Sequence, residues 1–352
     1  KELCGCGVGF KLIQSLDIRF NDSLDDLIPY LDLVATAIAA DIVPITGENR
    51  VLAYFGLQVI NTAPRTGIKA ILDQIKKDTL TITDVVFIIA PRINAAGRMK
   101  HGNHAVTLLT EEDIEMAEEF ASEIDQYKND RKEAYKQITK EALQQIEDNN
   151  EKEGFSTVVF DPSWHKGVIG IVASRLIESY YLPTLVFTKI CDILSASARS
   201  GKGFDVYRAL EACSEHLIQF GGHKYAAGLT IKEENYLVFK KAFELEVKST
   251  LDSTLRTPEV MVDAEINLAE ISPKFYRILS QFAPFGPGNM TPVFMSQNLK
   301  DTGYGKCVGE DDKHLKVTVT SMGNYKTGAI GFNLGNKIDL ILNRRPFKAV
   351  ST

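Results

Sequence analysis

The spacing of hydrophobic positions divides this chain into three regions. From residue 7 to residue 30, Val8, Leu12, Ile13 and Leu16 recur at helical intervals and predict an amphipathic helix. The run "LDLVATAIAADIVPITGEN" is small and apolar in its first part, as a buried helix or a buried strand would be, and breaks at Asp41 and Pro44 into a turn. Residues 51 to 76 read as helices separated by a loop at "TAPRTG". The apolar run Phe87 to Ala90 then leads into a glycine- and alanine-rich loop carrying Arg92, Asn94, Gly97 and Arg98. From Thr110 to about Asn149, Glu, Lys and Gln dominate and few apolar residues share a face, which predicts a long solvated helix, capped at Thr110, bridging two domains.

A second pattern begins at Phe155. "STVVFDP", "LPTLVFT", "ILSASARS" and "AAGLTI" read as strands. Between them lie an amphipathic helix, with Ile169, Val172, Leu176 and Tyr180 on one side, and a helix over "FDVYRALEACSEHLIQF" that Gly221 ends as a C′ glycine. Residues 234 to 250 form a last helix. Alternating strands and helices predict an α/β layer sandwich. Near Pro258 the pattern changes again: "EVMVDAEIN", "TPVFMSQN", "HLKVTVTS", "TGAIGFN" and "KIDLILN" read as short strands around a helix from Pro273 to Phe282, suiting a small β-barrel of the OB type.

Composition narrows the class without choosing a function. With 352 residues, 44% hydrophobic and 24% charged, the chain is ordinary for a soluble protein of two or three domains. No apolar run approaches the ~20 residues of a membrane helix, so no membrane association is expected. The chain opens "KELCGCGVGF", without a methionine or a basic-then-apolar leader, and residue 1 is expected to be an internal position of a longer protein. Five scattered cysteines argue for a reducing, cytoplasmic setting. Cys4 and Cys6 lack the second ligand pair of a zinc site. A net charge of −6 gives no bulk basic footprint, so nucleic-acid binding would depend on a local groove.

Several short stretches could hold an anion, each with a plainer alternative. In "GGHKYAAG", Gly221 and Gly222 could form a nest of backbone N–H groups with His223 as a donor, or could simply cap a helix. In "SASARS", Ser197 and Arg199 alternate onto one strand face, a hydroxyl beside a guanidinium fork, or an exposed edge. Arg98 sits with Arg92 in what could be an ordinary surface loop. Trp164, His165 and Lys166 precede a helix N-terminus, where His165 is either a contact residue or part of a cap. Asp41 follows a run of small apolar residues and would need hydrogen-bond donors or a cation if buried. His101 and His104 lack an acidic companion and read as surface residues.

The order of these segments is more specific than any one of them. "GCGVGFKL", "ATAIAADIVPITGEN", "PRINAAGRM", "DPSWHKGVIGIVASRL", "SARS", "FDVYRALE", "GGHKYAAG" and "FAPFGPGNMTPVF" together resemble the DHH phosphoesterase family along nearly the whole chain, and within it the members that degrade single-stranded DNA. The resemblance implies a two-lobed α/β DHH/DHHA1 phosphoesterase with a long connecting helix and a C-terminal OB-like domain that grips single-stranded DNA. Its implied divisions are residues 1–110 as the back part of the DHH domain, 111–150 as the connecting helix, 151–252 as DHHA1 and 253–352 as a possibly incomplete OB-fold domain. It implies a 5′→3′ exonuclease using two Mn²⁺ or Mg²⁺ ions in DNA repair and recombination. Asp41 matches a catalytic metal-ligand aspartate, and Arg98, His165, Ser197, Arg199, Gly221, Gly222 and His223 match substrate- and phosphate-binding positions. The family's paired-aspartate and Asp-His-His motifs are absent before Asp41, so the chain alone is expected to be inactive. Single-stranded DNA is the implied partner, with a single-strand-binding protein or a helicase beside it. Two other readings stay open: a phosphoesterase of short oligonucleotides or cyclic dinucleotides, and a non-catalytic single-stranded-DNA-binding scaffold.

Overall fold

The computed structural model describes residues 2–75, 77–99, 102–257, 259–321 and 325–352, without the side chains of residues 98 and 99. In chain order the helices α1 (Gly5–Phe20), α2 (Leu31–Ala40), α3 (Gly47–Thr62), α4 (Thr66–Asp73), the one-turn α5 (Ile82–Asp84), α6 (Ala90–Met99), α7 (Asn103–Thr110) and α8 (Ile114–Asp148) come first. Then follow β1 (Thr157–Phe160), α9 (Ile169–Tyr180), β2 (Thr184–Ile190), β3 (Ile193–Arg199), α10 (Val206–Ala212), β4 (Gln219–His223), β5 (Ala226–Lys232) and α11 (Tyr236–Thr250). The chain ends with β6 (Ala264–Glu265), α12 (Pro273–Ser280), β7 (Phe294–Asp301), β8 (Lys306–Val308), β9 (His314–Thr320), β10 (Lys326–Gly331) and β11 (Phe347–Ser351). Two compact units emerge, one of residues 1–64, 78–87 and 260–352, the other of residues 65–77 and 88–259. Among the described residues no helix is long and apolar enough to cross a membrane.

In the first unit, α2 is a helix. Val34, Ala35, Ile38 and Ala39 are buried, and α3 lies so close that a Cβ on Gly56 would fall 2.1 Å from the Leu31 carbonyl oxygen. Small residues allow the close approach, and burial on several sides removed the period that would have told helix from strand. The C-terminal strands form a six-stranded sheet, β10-β9-β7-β11 with β6 on β7 and β8 on β9, around Leu315, Val317, Val319 and Ile341. The OB-like domain is present, but among the described residues its sheet does not close into a barrel. "KIDLILN" is not a strand: it makes two 3₁₀ turns, and Asn343 and Arg344 take left-handed backbone angles no ladder accepts. "EVMVDAEIN" contributes only the two residues of β6.

In the second unit a five-stranded sheet, β1-β2-β3-β5-β4, is parallel between β1 and β2 and antiparallel elsewhere. One face packs on α10 and α11 through Leu185, Phe187, Ala196, Leu229, Phe239 and Phe243. On the other face α9 and the end of α8 meet Val159 and Val186. The 35-residue α8, about 52 Å at 1.5 Å per residue, is not simply solvated. Ala117, Ala121, Ile124, Ile138, Ala142 and Ile146 make a narrow buried stripe. Three alanines carry half of it, so hydrophobicity alone understated it. Its cap is Asp113, whose carboxylate accepts from the Glu115 and Met116 N–H groups; Thr110 ends α7 instead.

"PRINAAGR" is helix α6, not a loop. Pro91 follows closely on a π-helical turn over Val85–Ile89 that runs on into α6, so the residue without an N–H comes where the helical ladder already changes its spacing, and Ala95 and Ala96 are fully buried. Arg92 is also buried and donates to the Ile88 carbonyl at 2.8 Å and to Asp125 of α8 at 2.6 Å. Burial pushes the Asp125 carboxyl up, but the Lys128 hydrogen bond and the Arg92 and Lys128 charges outweigh it and hold the carboxyl below its ordinary value. The helix expected to end at Gly221 stops at Ala212. From Ile218, whose N–H donates to the Thr230 carbonyl, the chain is already pairing with β5.

Candidate functional site

The sheet register gathers the anion-binding candidates of the second unit. Ser197 of β3 lies opposite Gly228 of β5, which lies opposite Gly221 of β4. One step along, Arg199 lies opposite Ala226, which lies opposite His223. Side chains alternate with a period of two, so both rows share a face. It is the face that α9 covers over β1 and β2, since Val186, opposite Ser197, is buried against α9. Beyond β3 the face is open: Gly228, Gly221 and His223 are exposed, and Ser197, Arg199 and Ala226 half-buried. The result is a side-chain-poor floor about 10 Å wide, two strand spacings, with Ser197 and Arg199 along one edge and His223 along the other.

Each flank is held locally. One Arg199 guanidinium nitrogen donates to Ser197 Oγ at 2.9 Å and to the Ala198 carbonyl at 2.8 Å. The fork lies against the first turn of α9, where a Cβ on Gly170 would come within 2.9 Å of both Arg199 Nη2 and Ser197 Oγ. On the far side the Tyr225 N–H donates to His223 Nδ1 at 3.3 Å, so the neutral ring carries its proton on Nε2, a donor toward solvent. The β4–β5 hairpin is tied to the segment after β3: Ser200 Oγ donates to the Lys224 carbonyl, and the Ser200 N–H to the Tyr225 carbonyl. Gly221 and Gly222 therefore do not form a nest of consecutive N–H groups. They belong to a ladder, and Gly222 is required there: its φ is +151° and a Cβ would fall 2.3 Å from the Ala226 carbonyl oxygen.

The remaining candidates fall elsewhere. His165 is exposed in the turn before α9, where its Nδ1 accepts from the Gly167 N–H at 3.1 Å. Trp164 beside it is buried, donating to Glu141 of α8. Arg98 is in the last turn of α6, and its side chain lies outside the described residues, as does all of His101. His104 faces Glu123 at 3.8 Å. Cys4 is no metal ligand in the described structure: its sulfur accepts from the Gly7 N–H and caps α1. Asp41, in the first unit, is exposed and not buried as its neighbours suggested; it caps α2, its own N–H donating to the Ala37 carbonyl. Ile42 follows at φ +54°, a strained angle for a β-branched residue. Gly170 was missed by sequence reasoning. A glycine inside an otherwise helical pattern, as at Gly170, was the available signal.

This floor, at the end of a mixed sheet, sits in a DHHA1 domain: residues 153–249 match the DHHA1 domain model, and residues 262–352 match that of the RecJ OB domain. Over nearly its whole length the chain is homologous to proteins called single-stranded-DNA-specific exonuclease RecJ. It is 33% identical over 341 residues to the one from Bacillus subtilis, covering 95% of this chain and 42% of that protein. To that of Haemophilus influenzae it is 31% identical over 358 residues, 96% of this chain and 62% of the relative. The crystal structure of Thermus thermophilus RecJ in complex with Mn²⁺ superimposes with a TM-score of 0.82 at 25% identity, covering 94% of this chain and 53% of that one. The chain thus spans between 42% and 62% of the lengths of these relatives.

Proposed function

We propose that the protein degrades single-stranded DNA from its 5′ end by hydrolysing phosphodiester bonds, with the exposed floor of the DHHA1 sheet as the seat of the terminal phosphate. The observation that carries this is the pair of cross-strand rows, Ser197–Gly228–Gly221 and Arg199–Ala226–His223. An Arg fork and a hydroxyl suit two phosphoryl oxygens, and an imidazole Nε2–H across the floor suits a third. With nothing larger than the Ala226 methyl between them, a strand end can lie close to main chain. In this reading residues 1–110, 111–150, 151–252 and 253–352 act as DHH, connecting, DHHA1 and OB-like segments. A single-strand-binding protein or helicase supplies the strand, in the cytoplasm.

Relatives solved with Mn²⁺ and with Mg²⁺ support a divalent metal. Such ions, when bound, would supply an activated water and offset charge on the scissile phosphate. Exposed Asp41 fits one ligand position. Among the described residues no three His, Cys, Asp or Glu side chains come together as a metal site, so the residues described here do not amount to one. What this chain's residues do is bind and orient the end of the strand.

The test is a pair of oligonucleotides differing only at the 5′ end. Arg199→Ala should weaken binding of the 5′-phosphorylated strand about 10- to 100-fold, the value of a charge-assisted hydrogen-bond pair, and barely change that of the 5′-hydroxyl strand. An equal loss on both would remove the clamp.

A further inference from the structure

The "FGPGN" stretch belongs by sequence to the strand-gripping domain, yet in the structure it is spent on the turn that follows Asp41. Residues 281–289 form a braced loop after α12. Asn289 Nδ2 donates to the Phe282 and Pro284 carbonyls, both at 2.9 Å, and Gly286 and Asn289 exchange backbone hydrogen bonds at 2.9 Å. The loop seats on the α2–α3 connection. The Ile45 N–H donates to the Pro287 carbonyl at 2.6 Å, and Gly286 lies so close that a Cβ there would be 2.5 Å from Ile45 Cγ1. Gly288 meets Thr46 in the same way, at 2.9 Å from its methyl carbon.

The first turn of α3 closes this contact from behind. Arg50 Nη2 shares its hydrogens among the Gln281, Phe282 and Ala283 carbonyls, all at 3.1 Å, just past the C-terminus of α12, where a cation also meets the negative end of the helix. Asn49, nearly fully buried, donates to the Pro44 carbonyl at 3.1 Å. The turn between carries Ile42 at a left-handed angle, a conformation that persists only where its surroundings impose it. From the α2 side the impositions are the Asp41, Ile42 and Val43 N–H groups on the Ala37, Ala39 and Ile38 carbonyls; from the other side they are Ile45, Asn49 and the loop.

We propose that Arg50 is a positioning residue and the Phe285–Asn289 loop a clasp, and that together they fix the turn carrying Asp41, making the C-terminal domain a structural part of that site and not only a grip on the strand. The link to catalysis rests on Asp41 acting as proposed above; the clasp itself does not.

Hydrogen exchange and steady-state kinetics on the whole protein separate the two. Arg50→Ala should speed exchange of the amides of residues 41–43, 45 and 46 about tenfold or more, and lower kcat on a 5′-phosphorylated oligonucleotide by a similar factor while KM stays within about twofold. Arg50→Lys, which keeps a cation with three donors, should retain most of both. Gly286→Ala should reproduce the loosening, and Ile45→Ala in the same chain should remove its added effect by removing Cγ1. Unchanged exchange at those amides in both Arg50→Ala and Gly286→Ala overturns the clasp. A raised KM with unchanged kcat overturns the positioning role and assigns Arg50 to strand binding. Loosened exchange in Arg50→Ala together with full activity in Asp41→Ala leaves the clasp standing and removes Asp41 from the reaction.

Discussion

Gly170 shows how one absent methyl group serves the site. Within a helix alanine is ordinarily better than glycine, by about 0.5–1 kcal/mol in the interior and less in the first turn, where Gly170 sits. At residue 170 that methyl would press on Arg199 Nη2 and Ser197 Oγ at 2.9 Å. Gly170→Ala should therefore leave the melting temperature unchanged or slightly raised, yet weaken binding of a 5′-phosphorylated strand; a titration showing intact binding would mean the fork can shift without loss. The opposite logic applies at Ile42. Its side chain is 64% exposed, so little packing is lost on substitution, and its left-handed backbone costs about 1–2 kcal/mol. Ile42→Asn, a residue that tolerates this angle, should raise the stability of the first unit by about 1 kcal/mol in a denaturant titration.

Among the elements, α6 is set by its contact with α8. The Arg92–Asp125 ion pair joins them with one partner buried. Asp125→Asn should destabilise the second unit by about 1–3 kcal/mol, the cost of leaving a buried guanidinium without its charge partner. The pH dependence has a fixed sign. The folded carboxyl titrates below its unfolded value of about 4, so its contribution is complete above about pH 4 and is lost as pH falls through the folded value. The wild type should lose stability over that acid interval, and the variant should lose less. This helix pair also marks what the sequence could reveal. The strands β2, β3, β5, β7 and β9 were legible because alternation or a continuous apolar run named them. α6 was not, because its glycine and arginines imitate a loop while its alanines bury without raising hydrophobicity. β4 was read as a helix end because Gly221 after an amphipathic stretch fits a C′ position equally well. Ser197 and Arg199 could be placed on one face from their spacing alone. That Gly228 and Gly221 extend that face depended on a register no local pattern carries.

For the whole molecule, a net charge of −6 means that attraction for DNA has to be local. Each phosphate contact on a single strand contributes about −0.7 to the slope of log affinity against log salt. Arg199→Ala should flatten that slope by about 0.7 for a 5′-phosphorylated strand and leave it unaltered for a 5′-hydroxyl strand. The clasp at Phe285–Asn289 adds that two stretches of the first unit far apart in sequence, one around residue 45 and one around residue 287, share one turn.

The row of glycines has a consequence of its own. Main chain offers the same repeating surface under every nucleotide, with no ring to stack on a base. A strand lying on Gly221 and Gly228 is read for its phosphates and its terminus, and its letters go unread. Homopolymers of A, C and T with the same 5′ end should then be held there almost equally, and filling the floor with Gly221→Val, where an added Cβ meets nothing within 4 Å, should weaken all three alike.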